Sequence, residues 1–303
     1  MKNSKCNFSI ILLTFVTGIL LFNSCSKERI DSKEEETQLN QYQSMNNYYD
    51  TKKQEEQEFV IDTSGTGPIT GNHGTKLWVS KEKLMYADSD SVHWPYTVKL
   101  IELYNPKDMI YYQMPNVSSG GLVTTCGEVR VRAFKDGQEL VLRPNKTWTV
   151  EMPCASPLTN MKIYYGIENT NYVDWTPTPA GDFNITTYGY IGEIAKLGWV
   201  LNGKAASVSG TTTNYSFTST TDNLQNVSIF IYFPDAKSLM QVYNQTSGAL
   251  PMGENIKIIL IGINSSNQLY YYYNQTQVSS SNQVNVTLSS ISDANLTAIL
   301  DSL

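Results

Sequence analysis

Residues 123–142, VTTCGEVRVRAFKDGQELVL, decide the fold class. Val129, Val131 and Ala133 alternate with Arg130, Arg132 and Phe134. That period of two sends successive side chains to opposite faces of a strand. Asp136-Gly137 follows, and Glu139 to Leu142 resumes the extended pattern. Both turn residues tolerate positive φ, so the pair predicts a two-residue hairpin.

The same pattern continues on either side. Upstream, Thr75 to Val79 and Tyr96 to Tyr104 are expected strands, with Val98, Leu100 and Glu102 on one face of the second. Pro106 to Ile110 has room for one helical turn. Downstream, Thr147 to Met152 and Met161 to Ile167 complete a first β module expected over residues 61–173. Asp174 to Gly181 (DWTPTPAG) reads as a connector, because its two prolines cannot donate to a ladder. Strands are then expected at Phe183 to Tyr190, Lys196 to Leu201, Tyr215 to Thr218, Val227 to Phe233, Ile256 to Ile263, Leu269 to Tyr273 and Val284 to Leu288. Ser292 to Leu300 predicts a short helix capped by Ser290 or Ser292, with Leu296, Ile299 and Leu300 facing inward. The expected fold is all-β: two β-sandwich-like modules, the second over 174–303, behind an N-terminal tether and ahead of a short C-terminal helix.

The N-terminus reads as an export signal. Lys2 and Lys5 precede a 15-residue run, Phe8 to Phe22, that is apolar apart from Ser9, Thr14, Thr17 and Gly18. A membrane span needs roughly 20 apolar residues, so the run matches the core of a signal peptide over residues 1–24. It ends Leu21-Phe22-Asn23-Ser24-Cys25, which resembles a lipobox, and the expectation is a lipid, including palmitate, on Cys25. Residues 25–60 are rich in Glu, Gln, Asn, Lys and Ser and read as a disordered tether. Ser26-Lys27-Glu28 resembles the lysine-plus-acid export signal of Bacteroidetes surface lipoproteins; the alternative is ordinary charged-tether chemistry.

Composition excludes some partners. Without the two lysines of 1–24, 20 Lys+Arg stand against 28 Asp+Glu, a net of −8. That balance opposes nucleic-acid binding, which depends on neutralising phosphates. Four cysteines are present. Cys6 lies in the signal and Cys25 takes the lipid. Cys126 and Cys154 are then either a disulfide, in an oxidising compartment, or two buried thiols.

Gly74-Thr75-Lys76-Leu77-Trp78-Val79, Val98-Lys99-Leu100-Ile101-Glu102, Asp136-Gly137-Gln138-Glu139-Leu140 and Trp148-Thr149-Val150-Glu151-Met152-Pro153 resemble a β-sandwich module of Bacteroidetes lipoproteins. This module is similar in pattern to the ZU5 domain of animal scaffold proteins. Lys196-Leu197-Gly198-Trp199 and Leu250-Pro251-Met252-Gly253-Glu254 resemble the second half of the same lipoproteins. The resemblance implies an outer-membrane lipoprotein with no assigned biochemical function. Some ZU5 proteins cleave themselves at a His-Phe-Ser or His-Phe-Pro step; here His73 precedes Gly74 and His93 precedes Trp94, so autoproteolysis is not implied.

No catalytic motif stands out, and no cofactor or metal is expected. There is no Gly-x-Ser-x-Gly elbow, Walker loop, dinucleotide fingerprint or His-Glu-x-x-His helix. Glu102, Asp108, Glu128, Glu151, Glu168, Asp174, Glu193 and Glu254 fall in the β region and read as solvated carboxylates. Tyr270, Tyr271, Tyr272 and Tyr273 share one strand, two rings to each face. They are either an exposed stacking platform for a sugar or protein partner or ordinary core and surface. Asp90-Ser91-Val92 resembles an O-glycosylation site, with Ser91 the acceptor. The expected role is non-enzymatic binding or scaffolding in the envelope, with a glycan-binding surface lipoprotein and an enzyme of unrecognised class as alternatives.

Overall fold

The computed structural model describes residues 43–63, 67–88, 90–119, 121–168, 173–207, 210–264 and 268–303. The signal segment, Cys25 and the chain up to residue 42 lie outside the described residues. The protein is mostly β, with several antiparallel sheets and three helices. No described helix is long and apolar enough to cross a membrane.

The hairpin forms as its sequence demands. Strand Gly121–Lys135 turns through Asp136 (φ 51°) and Gly137 (φ 80°) into Gln138–Leu142, with Lys135 opposite Gln138. Positive φ at both turn positions matches the twist of the flanking strands. The long strand also organises a nine-stranded sheet. Its main path runs Gln57–Ile61, Tyr96–Leu103, Gly121–Lys135, Gly198–Ala205, Lys162–Glu168 and Val173–Asp182. A five-stranded sheet faces it, in the order Asn184–Ile185, Gly189–Ile194, Trp148–Pro153, Lys76–Trp78 and Ile69–Thr70. Val98, Leu100, Val129, Val131 and Ala133 from the first sheet meet Leu77, Trp148, Val150 and Tyr190 from the second in one sandwich core.

A third sheet, Ser238–Val242, Val227–Phe233, Asn255–Ile263, Leu269–Gln277 and Ser289–Ser290, forms the second half. One of its faces closes a distal core with Tyr215, Phe217, Leu250, Val286 and Leu288. The other face, through Phe230, Tyr232, Ile259 and Ile261, packs toward the back of the nine-stranded sheet. There it meets Ile101, Leu103, Trp175, Trp199 and Leu201 in a junction core. The two halves are therefore joined by a shared apolar core.

The three helices sit at this junction. Helix Pro106–Tyr112 starts where Asn105 accepts the Asp108 amide at 2.9 Å and Pro106 supplies a preset φ, and it stops at Gln113 in the left-handed region. Helix Asp293–Asp301 is capped by Ser292 and buries Leu296 and Leu300. Helix Gln43–Asp50 buries Met45 and Tyr49 completely, and Tyr48 donates to Asp293 at 2.8 Å.

Several expectations are corrected here. The tether expected over 25–60 ends earlier. Residues 43–50 are helical and Gln57–Ile61 is an edge strand paired with Tyr96–Leu103, because Met45 and Tyr49 reach the junction core. The connector Asp174 to Gly181 lies within strand Val173–Asp182. This strand is the sheet's last, so its prolines need donate nothing outward. The segment 174–205, expected in the second module, supplies strands to both sheets of the first sandwich. The structural division therefore falls beyond residue 205.

Cys126 and Cys154 are bridged, with Cα atoms 6.1 Å apart. The bridge joins the nine-stranded sheet to the end of Trp148–Pro153 in the facing sheet. Closing a 28-residue separation constrains the unfolded chain by about 3–4 kcal/mol.

Candidate ligand cleft at the junction

The cleft begins with a bulge. Along the pairing of Gly121–Lys135 with Gly198–Ala205, Gly127 lies opposite Asn202 and Thr125 opposite Gly203, leaving Cys126 unpaired between them. Such a bulge bends the strand and re-aims one side chain. Here it changes faces: Val129, Val131 and Ala133 line the sandwich core, while Val123 lies in the junction core. Gly127 is required at the bend, because a Cβ there would lie 2.3 Å from the Tyr104 ring. Tyr104 is held in turn by Thr75, hydroxyl to hydroxyl, at 2.7 Å.

Beside the bulge is a cleft of about 470 Å³. The sandwich half lines it with Tyr104, Thr125 and the Cys126–Cys154 bridge. Met109 comes from the middle helix, and Tyr232 and Lys237 come from the second half. Asn116 ties these parts together. Its Nδ2 donates to Val123 O at 2.6 Å and to Lys237 O at 3.1 Å, and its Oδ1 accepts from Leu239 N at 2.6 Å. Its own carbonyl accepts from Val123 N and from Ser238 Oγ. The side chain is fully buried. One asparagine thus links the long strand of the first half to the turn and edge strand of the second.

Two other hollows open on the surface. Pro115 and Val117, on either side of Asn116, line a groove of about 460 Å³ with Val173, Asp174, Met240 and Tyr243. A third, of about 420 Å³, contains Asp182 and Glu193. Asp182 pairs with Lys162 at 2.5 Å, and Glu193 accepts from the Thr147 and Thr149 hydroxyls at 2.6 Å each. Both carboxylates are engaged as acceptors. Among the described residues, no three His, Cys, Asp or Glu side chains gather as a metal site.

The carboxylates read as solvated divide differently. Glu102 is buried and accepts from Gln57 Nε2 (2.9 Å), His73 N (2.9 Å) and Thr75 N (2.8 Å), which fasten the 71–75 turn to its strand. Asp108 is buried and accepts from Gln54 and Asn105. Glu128 is fully buried, and neither oxygen has a partner among the described residues. It sits in register between Leu103 and Leu201, and burial pushes its carboxyl well above the ordinary range.

The tyrosine run is not an exposed platform. Tyr271 and Tyr273 pack against the junction core and Tyr270 and Tyr272 against the distal core, each half-buried. The two-face alternation expected of the strand is present, but both faces of this sheet carry a core. Ser91 is exposed and accepts from Arg143 Nη2 at 3.2 Å. Cys25 lies outside the described residues. The cleft residues Asn116, Tyr232 and Lys237 had no sequence signal, since only the folded junction brings them together.

No protein-family model, curated protein or solved structure matches the chain.

Proposed function

We propose that this chain is a lipid-anchored protein of the outer membrane, held through Cys25, whose body binds a partner in the cell envelope and performs no catalysis. The Cys126–Cys154 bridge carries the reading, since disulfides persist in oxidising compartments outside the cytoplasm. It agrees with the charged, apolar and lipobox-like run that ends at Cys25. It also agrees with the resemblance to Bacteroidetes lipoproteins.

The helix at Gln43 sets how far the body stands from its anchor. Residues 26–42 number 17, and even fully extended they span at most about 60 Å. An anchored body on so short a leash works at the membrane surface. An envelope protein is a better partner than a glycan, because the Tyr270–Tyr273 rings pack inward on both faces.

Feeding cells radiolabelled palmitate tests the anchor. The chain is expected to take up label, Cys25→Ser to lose it and Cys6→Ser to keep it. An unlabelled chain, or label that survives Cys25→Ser, contradicts the reading.

A further inference from the structure

Glu128 is turned into the core that joins the two halves. It is fully buried, and both oxygens lack partners among the described residues. Its register neighbours Leu103 and Leu201 belong to the junction core, whereas the next residue, Val129, belongs to the sandwich core. Alternation along the strand therefore puts the carboxyl on the junction side. On the third sheet Ser228 is also fully buried, with a hydroxyl that lacks a partner among these residues. Burial pushes the Glu128 carboxyl well above its ordinary range.

An unpaired carboxylate is not tolerated in an apolar core, so ionisation must bring it water or a cation. The cations on its side of the sheet are committed. Arg130 lies over the Trp199 ring and pairs with Glu56 at 3.1 Å, and Lys99 pairs with Glu58 at 2.5 Å and Glu56 at 3.5 Å. Strand Gly198–Ala205 brings Trp199 and Leu201, and Lys162–Glu168 brings Tyr164. The third sheet brings Tyr232, Tyr243, Tyr271 and Tyr273, with Lys257 donating to Ser302 O at 2.8 Å. The helices bring Tyr48, Tyr49, Tyr111 and Tyr112. Their Asp108 accepts from Gln54 and Asn105, Asp293 from Tyr48, and Lys107 pairs with Asp301. A phenol ordinarily titrates near 10, and burial moves Tyr48, Tyr112, Tyr164 and Tyr232 higher.

Water has a shorter route to Glu128 than unfolding. The cleft of about 470 Å³ already separates Tyr104 and Thr125, on the sandwich half, from Tyr232 on the other. Tyr104 directly follows Leu103, the register partner of Glu128. The opposite face of the same strand is the sandwich core, stapled by Cys126–Cys154. Parting the junction hydrates the carboxylate and leaves the sandwich packed.

We propose that the junction is a proton-held latch, closed while Glu128 is protonated and parted along the cleft when that carboxyl ionises. The closed state keeps the proton above the ordinary carboxyl range and the open state does not. Opening therefore rises with pH, by up to about tenfold per unit, until the closed carboxyl ionises as well. The latch goes beyond the binding reading and needs no ligand.

Amide hydrogen exchange of the full chain in lipid nanodiscs, from pH 5 to pH 9, tests it, with each rate divided by the intrinsic rate at that pH. Protection in Val227–Phe233 and Ser238–Val242 is expected to fall about tenfold or more across the series. Global unfolding also ionises Glu128, so Trp148–Pro153 falls alongside but stays about tenfold or more better protected at every pH. Glu128→Gln and Glu128→Met are each expected to flatten the series. Both variants keep the exposed His73 and His93, so a histidine effect would persist in them. Three results overturn the proposal: wild-type protection independent of pH, a fall that either folded variant retains, or equal protection of the junction and sandwich strands.

Discussion

Glu128→Met is expected to stabilise the protein, and by more at pH 7 than at pH 4.5. Glu128 is fully buried between Leu103 and Leu201, and both of its oxygens lack partners among the described residues. Even the neutral carboxyl leaves polar atoms unsatisfied, at a cost of about 1–3 kcal/mol. Methionine has a similar unbranched stem and no polar atom, so it occupies the site without that cost.

The pH dependence follows from the raised pKa. Burial moves the folded-state value well above 4.5, so over the interval between the two values the folded chain holds a proton that the unfolded chain has lost. The unfolded state then binds fewer protons, and stability falls as pH rises. The contribution is fully present below the unfolded value. Above it, it declines by up to about 1.4 kcal/mol per pH unit until the folded carboxyl itself ionises. The other carboxylates are common to both proteins and cancel in the difference. Urea midpoints of wild type and Glu128→Met at pH 4.5, 6 and 7 should therefore separate progressively. A wild type as stable as the variant at pH 7 would mean that the carboxylate has a compensating partner.

Asn116→Ala is expected to destabilise the protein by about 3–4 kcal/mol. Three hydrogen bonds are lost, each worth about 1 kcal/mol net, and the Leu239 amide is left buried without its acceptor. The loss should concentrate at the junction. Amide hydrogen exchange should rise in Ser238–Val242 and around Val123, while Trp148–Pro153, in the sandwich core, keeps its protection. Uniform loss of protection, or a change below about 1 kcal/mol, would show that the shared apolar core alone holds the halves together.

Local sequence was most informative where one rule governed the backbone. Asp136-Gly137 fixed a hairpin, and the alternation of Val129, Val131 and Ala133 identified a core face. Ser292 capped the predicted C-terminal helix. Elements buried on both sides were harder to read. Ser238–Val242 is buried at every position and shows no alternation, so it passed unnoticed. Helix Gln43–Asp50 is polar overall, and its two buried residues matter only because the junction core receives them. Val173–Asp182 looked like a connector because its prolines forbid a central strand but not an edge strand. The candidate site was least legible. Cys126 and Cys154 could be a pair on chemistry alone, but Asn116 and Lys237, which share a hydrogen bond, are 121 residues apart, and Tyr232 meets Tyr104 and Met109 only in the folded cleft. Only tertiary structure makes them neighbours.

We propose that the lipid on Cys25 holds the partner-binding body on the outer membrane and displays it at the cell surface, and protease treatment of intact cells, with a periplasmic protein as control, tests this display. The chain is expected to be cleaved while the control survives, and Cys25→Ser is expected to remove it from the cell surface. Protection of the chain until the outer membrane is opened would contradict surface display and return Ser26-Lys27-Glu28 to ordinary tether chemistry.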